Sequence, residues 1–182
     1  KRVPALTEDQ FISLIKSLDK NPKMQLICSI AGCAGLRIGE ILGLRWDDID
    51  SVNGMIHVER QWGIVSEDKK FDYKKLKTKN SRRTVPISDS LVSMFENYQV
   101  SQKVRSIDGR IFIKTKAPNV DYFISTRSPG ASIHTLRHTY ATRLLSNGAD
   151  IKTVSALLGD TVQMVIKTYI HYTEDMRNEA AE

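Results

Sequence analysis

Three widely separated parts of the sequence carry basic side chains that could bind a phosphate. Arg37 begins a short apolar segment, and Lys77 lies in a lysine-rich stretch. His134 and Arg137 are three residues apart in a helical pattern, a spacing that puts both side chains on one face, where they could meet the same anion. An arginine guanidinium is a planar, protonated fork that matches two phosphate oxygens. Each feature alone is also common on ordinary charged surfaces, so the interpretation depends on their combination.

Hydrophobic spacing, capping residues and helix breakers predict helices around most of these side chains. Helices are expected at residues 7–19, 22–34, 37–43, 88–104, 134–147, 151–158, 162–171 and from about 174. Alternating residues at 55–61, and on both sides of an exposed turn at 78–81, predict antiparallel strands, and residues 111–113 predict one more short strand. The expected fold class is mainly α with a small three-stranded antiparallel β-sheet (α+β).

The length and charge of the chain limit what it can be. Its 182 residues, 41% of them hydrophobic, predict a single domain. The net charge of +6 and the pI of about 9.3 favour a polyanionic partner, and residues 67–83 hold eight basic against three acidic side chains. No apolar run reaches the length of a membrane span and no signal-peptide pattern opens the chain, so we expect a cytoplasmic protein without membrane contact.

The cysteines and histidines do not indicate a metal site. Cys28 and Cys33 are five residues apart in an apolar helix, a spacing that fits neither a zinc site nor a redox pair. We expect buried thiols in a reducing compartment. The four histidines do not combine with cysteines or carboxylates at usual ligand spacings, so neither a metal nor another cofactor is expected.

Four motifs, spread from about residue 7 to residue 173, resemble those of the tyrosine recombinase or phage integrase family and follow the family's order. They are the first arginine box at 34–40, a lysine hairpin at 77–83, the second arginine box at 134–142 and the nucleophile region at 157–171. The resemblance implies the tyrosine recombinase catalytic-domain (DNA breaking-rejoining enzyme) fold over residues 1–182, with the N-terminal core-binding domain absent from this chain. It also implies that residues 173–182 form a tail that protomers exchange.

The resemblance implies site-specific DNA recombination or integration in an integrase of a phage or mobile element. The strand would be cleaved and rejoined through a 3′-phosphotyrosine intermediate, with Tyr169 as the nucleophile. A tyrosine, whose pKa is ordinarily about 10, becomes more acidic beside clustered positive charge. Tyr172, three residues later, is the rival nucleophile, whereas Tyr140 is expected to pack in the core.

The basic residues take distinct roles in such a reaction. Arg37 and Arg137 are expected to neutralise the two non-bridging oxygens of the attacked phosphate. By the resemblance, Lys77 protonates the departing 5′ oxygen, with Lys79 as the nearby rival, and His134 exchanges a proton with the phenol. Further DNA contacts are expected from the basic stretch and from one helix: Lys74, Lys75, Lys79, Arg82, Arg83 and His138.

Asp160 departs from the family pattern. The family commonly carries a histidine or tryptophan after Leu-Leu-Gly, which can donate a hydrogen bond to the phosphate, whereas a carboxylate offers only acceptors. Two interpretations stay open: Asp160 orients one of the basic side chains of the catalytic site, or it caps the helix that begins near Val162. The segment between Pro118 and His134 is shorter than the family's, so a local helix there is left open.

Two other functions also stay open. Residues 151–169, two short helices around Gly159, are compatible with a helix-turn-helix, so a non-catalytic DNA-binding module is one alternative. A type IB topoisomerase-like activity is the other, because it uses the same active-site chemistry. The resemblance implies double-stranded DNA as the partner in a bacterial host, a homotetramer on DNA, a monomer when the domain is isolated, and accessory directionality or DNA-bending proteins.

Overall fold

Helices are the main secondary structure in this computed structural model, which describes residues 5–76, 81–167 and 170. Their bounds are α1 (Glu8–Lys16), α2 (Pro22–Ala34), α3 (Ile38–Gly43), α4 (Asp89–Ser101), α5 (Ala117–Ser125), α6 (Ile133–Ser146) and α7 (Ile151–Leu158). Residues 162–167 are also helical. The prediction of a mainly helical fold is confirmed.

Local signals in the sequence start and stop these helices. Thr7 and Gln10 form the predicted capping box of α1: the Thr7 hydroxyl accepts a hydrogen bond from Gln10 N at 3.2 Å, and Gln10 Oε1 accepts one from Thr7 N at 2.9 Å. Pro22 opens α2, and Gly35 follows it in left-handed backbone at φ 67°. Ser88 caps α4, which ends short of the predicted residue 104.

Helix α2 lies in the centre of the core and packs against α1, α4 and α6. Ile27, Ile30 and Ala31 are fully buried. Because nearly every residue of this helix is apolar or small, it can be covered on all sides. It thereby provides the rigid base on which α3 and α6 are fixed.

A second, smaller cluster supports the far end of the molecule. It joins Tyr140 of α6 to Val154 and Leu158 of α7 and to Val165. The burial of Tyr140 confirms its predicted core position. Through this cluster, the C-terminal end of α7 is held against α6.

The strands form two sheets. β1 (Ile49–Asp50), β2 (Met55–Val58) and β5 (Arg83–Pro86) make a three-stranded antiparallel sheet in the order β1-β2-β5. β3 (Gln61–Ile64) and β4 (Phe71–Lys74) form a separate antiparallel pair. The predicted small three-stranded sheet is confirmed, and the structure adds a two-stranded hairpin.

The strand pairing predicted around residues 78–81 is wrong. The strands on its two sides, β4 and β5, pair with β3 and β2 respectively and not with each other. Burial explains the choice, because Val85 of β5 and both Ile56 and Val58 of β2 are fully buried and share one face. The tight turn lies between β3 and β4 instead, where Val65 N donates to the carbonyl of Lys70 at 2.9 Å.

The strand predicted at residues 111–113 is also absent from the described structure. Ile111 and Phe112 are adjacent in sequence and both fully buried, so the segment lacks the alternation of a half-buried strand. It is attached to the core by a hydrogen bond from Ile111 N to the carbonyl of Leu44 at 2.9 Å.

Helix α5 fills the segment that the sequence left open between Pro118 and His134. Pro118 lies in its first turn, where a missing N–H costs no intrahelical hydrogen bond. No helix within the described ranges is both long and apolar enough to cross a membrane.

Candidate active site

Arg137 points from α6 into the space between the end of α2 and the end of α7. Its side chain is only 6% exposed. One terminal nitrogen, Nη1, donates to the carbonyl of Gly35, and Nη2 donates to the carbonyl of Leu158 at 2.9 Å and to Asp160 Oδ2 at 2.8 Å. Burial lowers the pKa of Arg137, and the charge of Asp160 opposes that shift. The guanidinium is therefore rigidly placed by groups from three parts of the chain.

Arg37 immediately precedes α3, and its side chain reaches the same place. Its Nη1 donates to Glu40 Oε1 at 3.0 Å, and its backbone N–H donates to Glu40 Oε2 at 2.9 Å. Its Nη2 donates to the carbonyl of Gly159 at 3.3 Å and to Asp160 Oδ1. The side chain is 37% exposed, so one side of it remains open to solvent. The structure thus brings together the two arginines that the sequence singled out.

The Asp160 carboxylate lies between the two arginines and gives one oxygen to each. Its backbone is fixed to the end of α7, because Asp160 N donates to the carbonyl of Ser155 at 3.1 Å and the Ser155 hydroxyl donates to the carbonyl of Asp160 at 2.6 Å. The helix at residues 162–167 is capped by Thr161, whose hydroxyl accepts from Met164 N at 3.3 Å. The capping interpretation of Asp160 is therefore wrong, and its side chain instead contacts both basic residues.

Glu40 is a buried carboxylate beneath this pair that the sequence alone does not single out. Its side chain is 2% exposed and binds Arg37 on one side and Arg83 on the other. Burial by itself would raise the pKa of Glu40, but the hydrogen bond and charge of Arg83, followed by those of Arg37, outweigh it and hold the pKa below its ordinary value. The signal that could have revealed it is an acidic residue at the third position of a helix that begins after an arginine.

Arg83 has a structural position that argues against the DNA contact expected for it. Its guanidinium is 6% exposed and donates to Glu40 Oε2 at 2.9 Å, to Glu40 Oε1 at 3.1 Å, to the carbonyl of Ser81 at 2.9 Å and to that of Leu157 at 2.6 Å. Because every bond is directed into the protein, this side chain is not available to a phosphate at the surface. We correct the expectation: Arg83 joins β5 to α3 and α7.

The two histidine candidates, His134 and His138, are nearer to solvent than Arg137. His134 is exposed on α6, one turn before Arg137, and His138 is half-buried on the same helix. His134 shares a helical face with Arg137, three residues later, and with His138, four residues later, whereas the adjacent Arg137 and His138 do not face each other.

The chain matches the Phage integrase family over residues 4–176. It is 32% identical to a tyrosine recombinase XerC-like protein of Caldanaerobacter subterraneus subsp. tengcongensis, over 96% of this chain and 52% of that protein. The chain belongs to the phage integrase family. It is also 29% identical to the ICEBs1 integrase of Bacillus subtilis strain 168, over 95% of this chain and 51% of the relative.

Solved structures of the same type share the fold. The integrase of transposon Tn1549, solved in complex with transposon right end DNA, matches 100% of this chain and 67% of that chain with a TM-score of 0.78 at 21% identity. The XerA recombinase matches 100% of this chain and 66% of that chain with a TM-score of 0.75 at 21% identity. The expected catalytic-domain fold is therefore confirmed. The chain spans about half the length of the curated relatives it matches.

In this integrase-family domain, three of the candidate DNA contacts of the basic stretch lie at or near the surface. Lys75 is exposed and Lys74 is half-buried at the end of β4. Arg82 is 70% exposed and forms an ion pair with Glu59 at 2.7 Å. These three side chains are accessible to solvent, unlike the neighbouring Arg83.

Several expected site residues lie outside the described part of the structure. They are Lys77 and Lys79 of the basic stretch, and Tyr169 and its rival Tyr172. The exchanged tail expected at 173–182 also lies outside it. The roles given to these residues stay predictions from the family motifs.

Burial raises the pKa of both cysteine thiols in the integrase domain. Cys28 is buried, and burial raises the pKa of its thiol to about 12. Cys33 is half-buried, and burial likewise raises its pKa, against the opposing charge of Arg143. Within the described ranges, no group of three or more His, Cys, Asp or Glu side chains is arranged to hold a metal ion.

Proposed function

We propose that this domain cuts and rejoins double-stranded DNA through a 3′-phosphotyrosine intermediate, as the catalytic part of a site-specific integrase of a phage or mobile element. The observation that carries the proposal is the convergence of Arg37 and Arg137 on a single anion, the carboxylate of Asp160. Two guanidiniums focused on one negative group are what a phosphodiester needs when it gains charge in the transition state. The family membership and the basic surface support the same conclusion.

Each arginine would take one non-bridging oxygen of the scissile phosphate. Arg137 is suited to a fixed contact, because two backbone carbonyls and the core around α6 hold its guanidinium in place. Arg37 is suited to the more exposed side of the phosphate. Preorganised donors of this kind lower the barrier because they need no rearrangement as charge develops.

Bond exchange would then proceed without an external energy source. The phenol oxygen of Tyr169 attacks phosphorus, and the bond to the 5′ oxygen breaks as Lys77 gives that oxygen a proton. His134 lies near the N-terminal end of α6, as does Arg137, and accepts the proton that the phenol loses. The phosphotyrosine ester keeps the energy of the broken diester, so a free 5′ hydroxyl of another strand can reverse the reaction.

Recombination requires two DNA duplexes, so we extend the proposal to a homotetramer on DNA. Lys74, Lys75 and Arg82 would contact the backbone without reading sequence. The proposal also includes accessory directionality or DNA-bending proteins and a site of action on DNA in the bacterial cytoplasm.

The test is the covalent bond itself. The protein is incubated with nicked duplexes. Cleavage releases a short strand fragment with a free 5′ hydroxyl, which diffuses away. A denaturing gel then reports any protein–DNA adduct. We expect an adduct with the wild type and with Tyr172→Phe, and none with Tyr169→Phe, although all three bind the duplex. Binding without any adduct would favour the non-catalytic DNA-binding module, and an adduct lost only in Tyr172→Phe would move the nucleophile. Relaxation of supercoiled plasmid without strand exchange would favour the topoisomerase-like activity.

A further inference from the structure

The carboxylate of Asp160 lies where the two arginines would hold a phosphate. One carboxylate oxygen meets Arg37 and the other meets Arg137 at 2.8 Å. This is the same two-oxygen, two-guanidinium pattern that we propose for the scissile phosphodiester. We propose that Asp160 is an internal competitor: it occupies the arginine pair in the DNA-free domain, and the phosphate of DNA has to displace it. The inference rests on the proposed function of the arginine pair.

Burial of Arg137 makes displacement necessary. Its side chain is 6% exposed, and two of its hydrogen bonds go to backbone carbonyls, those of Gly35 and Leu158. Within the described residues, Asp160 is the only side chain that forms a hydrogen bond with this guanidinium. A phosphate can therefore gain a direct bond to Arg137 most easily by taking the place of that carboxylate. A carboxylate that stayed in place would also repel it.

Asp160 can move without unfolding its surroundings. Its backbone is anchored to α7 by two hydrogen bonds with Ser155, so only the side chain has to rotate. That side chain is 13% exposed, so it already borders solvent into which the released carboxylate can turn. A donor side chain at this position would add a bond to the phosphate, whereas an acceptor has to leave. Asp160 thus sets how strongly the arginine pair binds an incoming anion.

Inorganic phosphate is the probe, because its binding requires neither a DNA sequence nor cleavage. Isothermal titration would compare the wild type with two neutral variants, Asp160→Asn and Asp160→Ser. Asp19→Asn, an exposed residue in the turn after α1, makes the same change in net charge elsewhere. We expect phosphate affinity to rise by about tenfold or more in both Asp160 variants, as charge-assisted bonds become available. Asp19→Asn should stay close to the wild type.

Equal or weaker phosphate affinity in the Asp160 variants, including no detectable binding to any of the proteins, would overturn the proposal. Asp160 would then serve to hold the arginines in position. Since the neutral variants remove the carboxylate charge that lies between the two guanidiniums, they are also refolded with and without phosphate and examined by circular dichroism. Recovery of the fold in phosphate would support the proposal, and failure of both variants to fold in phosphate would overturn it.

The outcome is separable from that of the proposed function. Phosphate competition concerns only the ground-state occupant of the arginine pair, whereas the covalent adduct concerns the nucleophile. If the wild type forms no adduct but the Asp160 variants bind phosphate about tenfold more tightly, the competitor role of Asp160 is supported and the proposed enzymatic function is rejected. If the wild type forms the adduct but the Asp160 variants show no gain in phosphate affinity, the enzymatic function is supported and the competitor role is rejected.

Discussion

Replacement of Arg83 by methionine removes the guanidinium while keeping most of the aliphatic volume of the side chain. In the wild type, this group is 6% exposed and bonds both oxygens of Glu40, which is 2% exposed, as well as the carbonyl of Leu157. The variant leaves Glu40 with Arg37 as its nearest cation. It also removes the direct link between β5 and the end of α7.

Breaking a buried ion pair by removing one partner costs about 3–5 kcal/mol, because the remaining charge stays desolvated. Arg82 provides a matched control in the adjacent position. Its side chain is 70% exposed, and its partner Glu59 is 33% exposed. An exposed pair of this kind contributes about 0–1 kcal/mol, so Arg82→Met should cost no more than that.

Urea unfolding followed by far-ultraviolet circular dichroism measures the free energy of unfolding of both variants. For a domain of this size, a loss of about 3–5 kcal/mol corresponds to a fall in Tm of about 6–20 °C. DNA affinity should change in the opposite order: Arg82→Met weakens binding and reduces its salt dependence, whereas folded Arg83→Met does not. Equal stabilities of the two variants, or a larger loss of DNA affinity in Arg83→Met, would refute the buried role of Arg83.

Three further predictions follow from the same structure. The pKa of Glu40 is lowered from its ordinary 4.5, so its contribution to stability is complete above about pH 4.5 and is lost as the pH falls through the lower folded value. Urea unfolding across this pH range should therefore show a smaller loss of unfolding free energy for Glu40→Gln than for the wild type. Gly35→Ala should cost about 2–4 kcal/mol in the same assay, because the backbone is left-handed and the new methyl would clash with the Tyr140 ring and lie 2.9 Å from Leu158 Cδ2. A near-neutral effect would contradict the close packing. Cys28 should resist a thiol reagent at pH 8 in the native protein and react once urea unfolds it, and prompt native labelling, located by peptide mass spectrometry, would show that it is accessible.

The sequence predicted those features that depend on neighbouring residues. The Thr7 capping box, the glycine stop at Gly35 and the Ser88 cap are each set within a few residues, and all three are found in the structure. The pairing of β5 with β2 depends on which apolar faces meet across a long separation in sequence. Local alternation does not contain that information, so it wrongly predicts that β4 pairs with β5.

The candidate site was predictable to a similar degree. The family motifs selected Arg37 and Arg137, and the structure brings them together. The Glu40–Arg83 pair could not be derived from residue types, because a charged side chain in a basic stretch is ordinarily expected at the surface. Its burial results from the packing of β5 against α3 and α7, which only the tertiary structure reveals.

The most direct test of the central claim is to identify the protein atom that becomes bonded to DNA. The adduct formed on a nicked duplex is digested with nuclease and protease, and tandem mass spectrometry locates the residue that carries the remaining nucleotide phosphate. We predict a single modified peptide with the 3′-phosphate on Tyr169. A nucleotide on any other residue, or no modified peptide from protein that binds the duplex, would contradict the proposed mechanism.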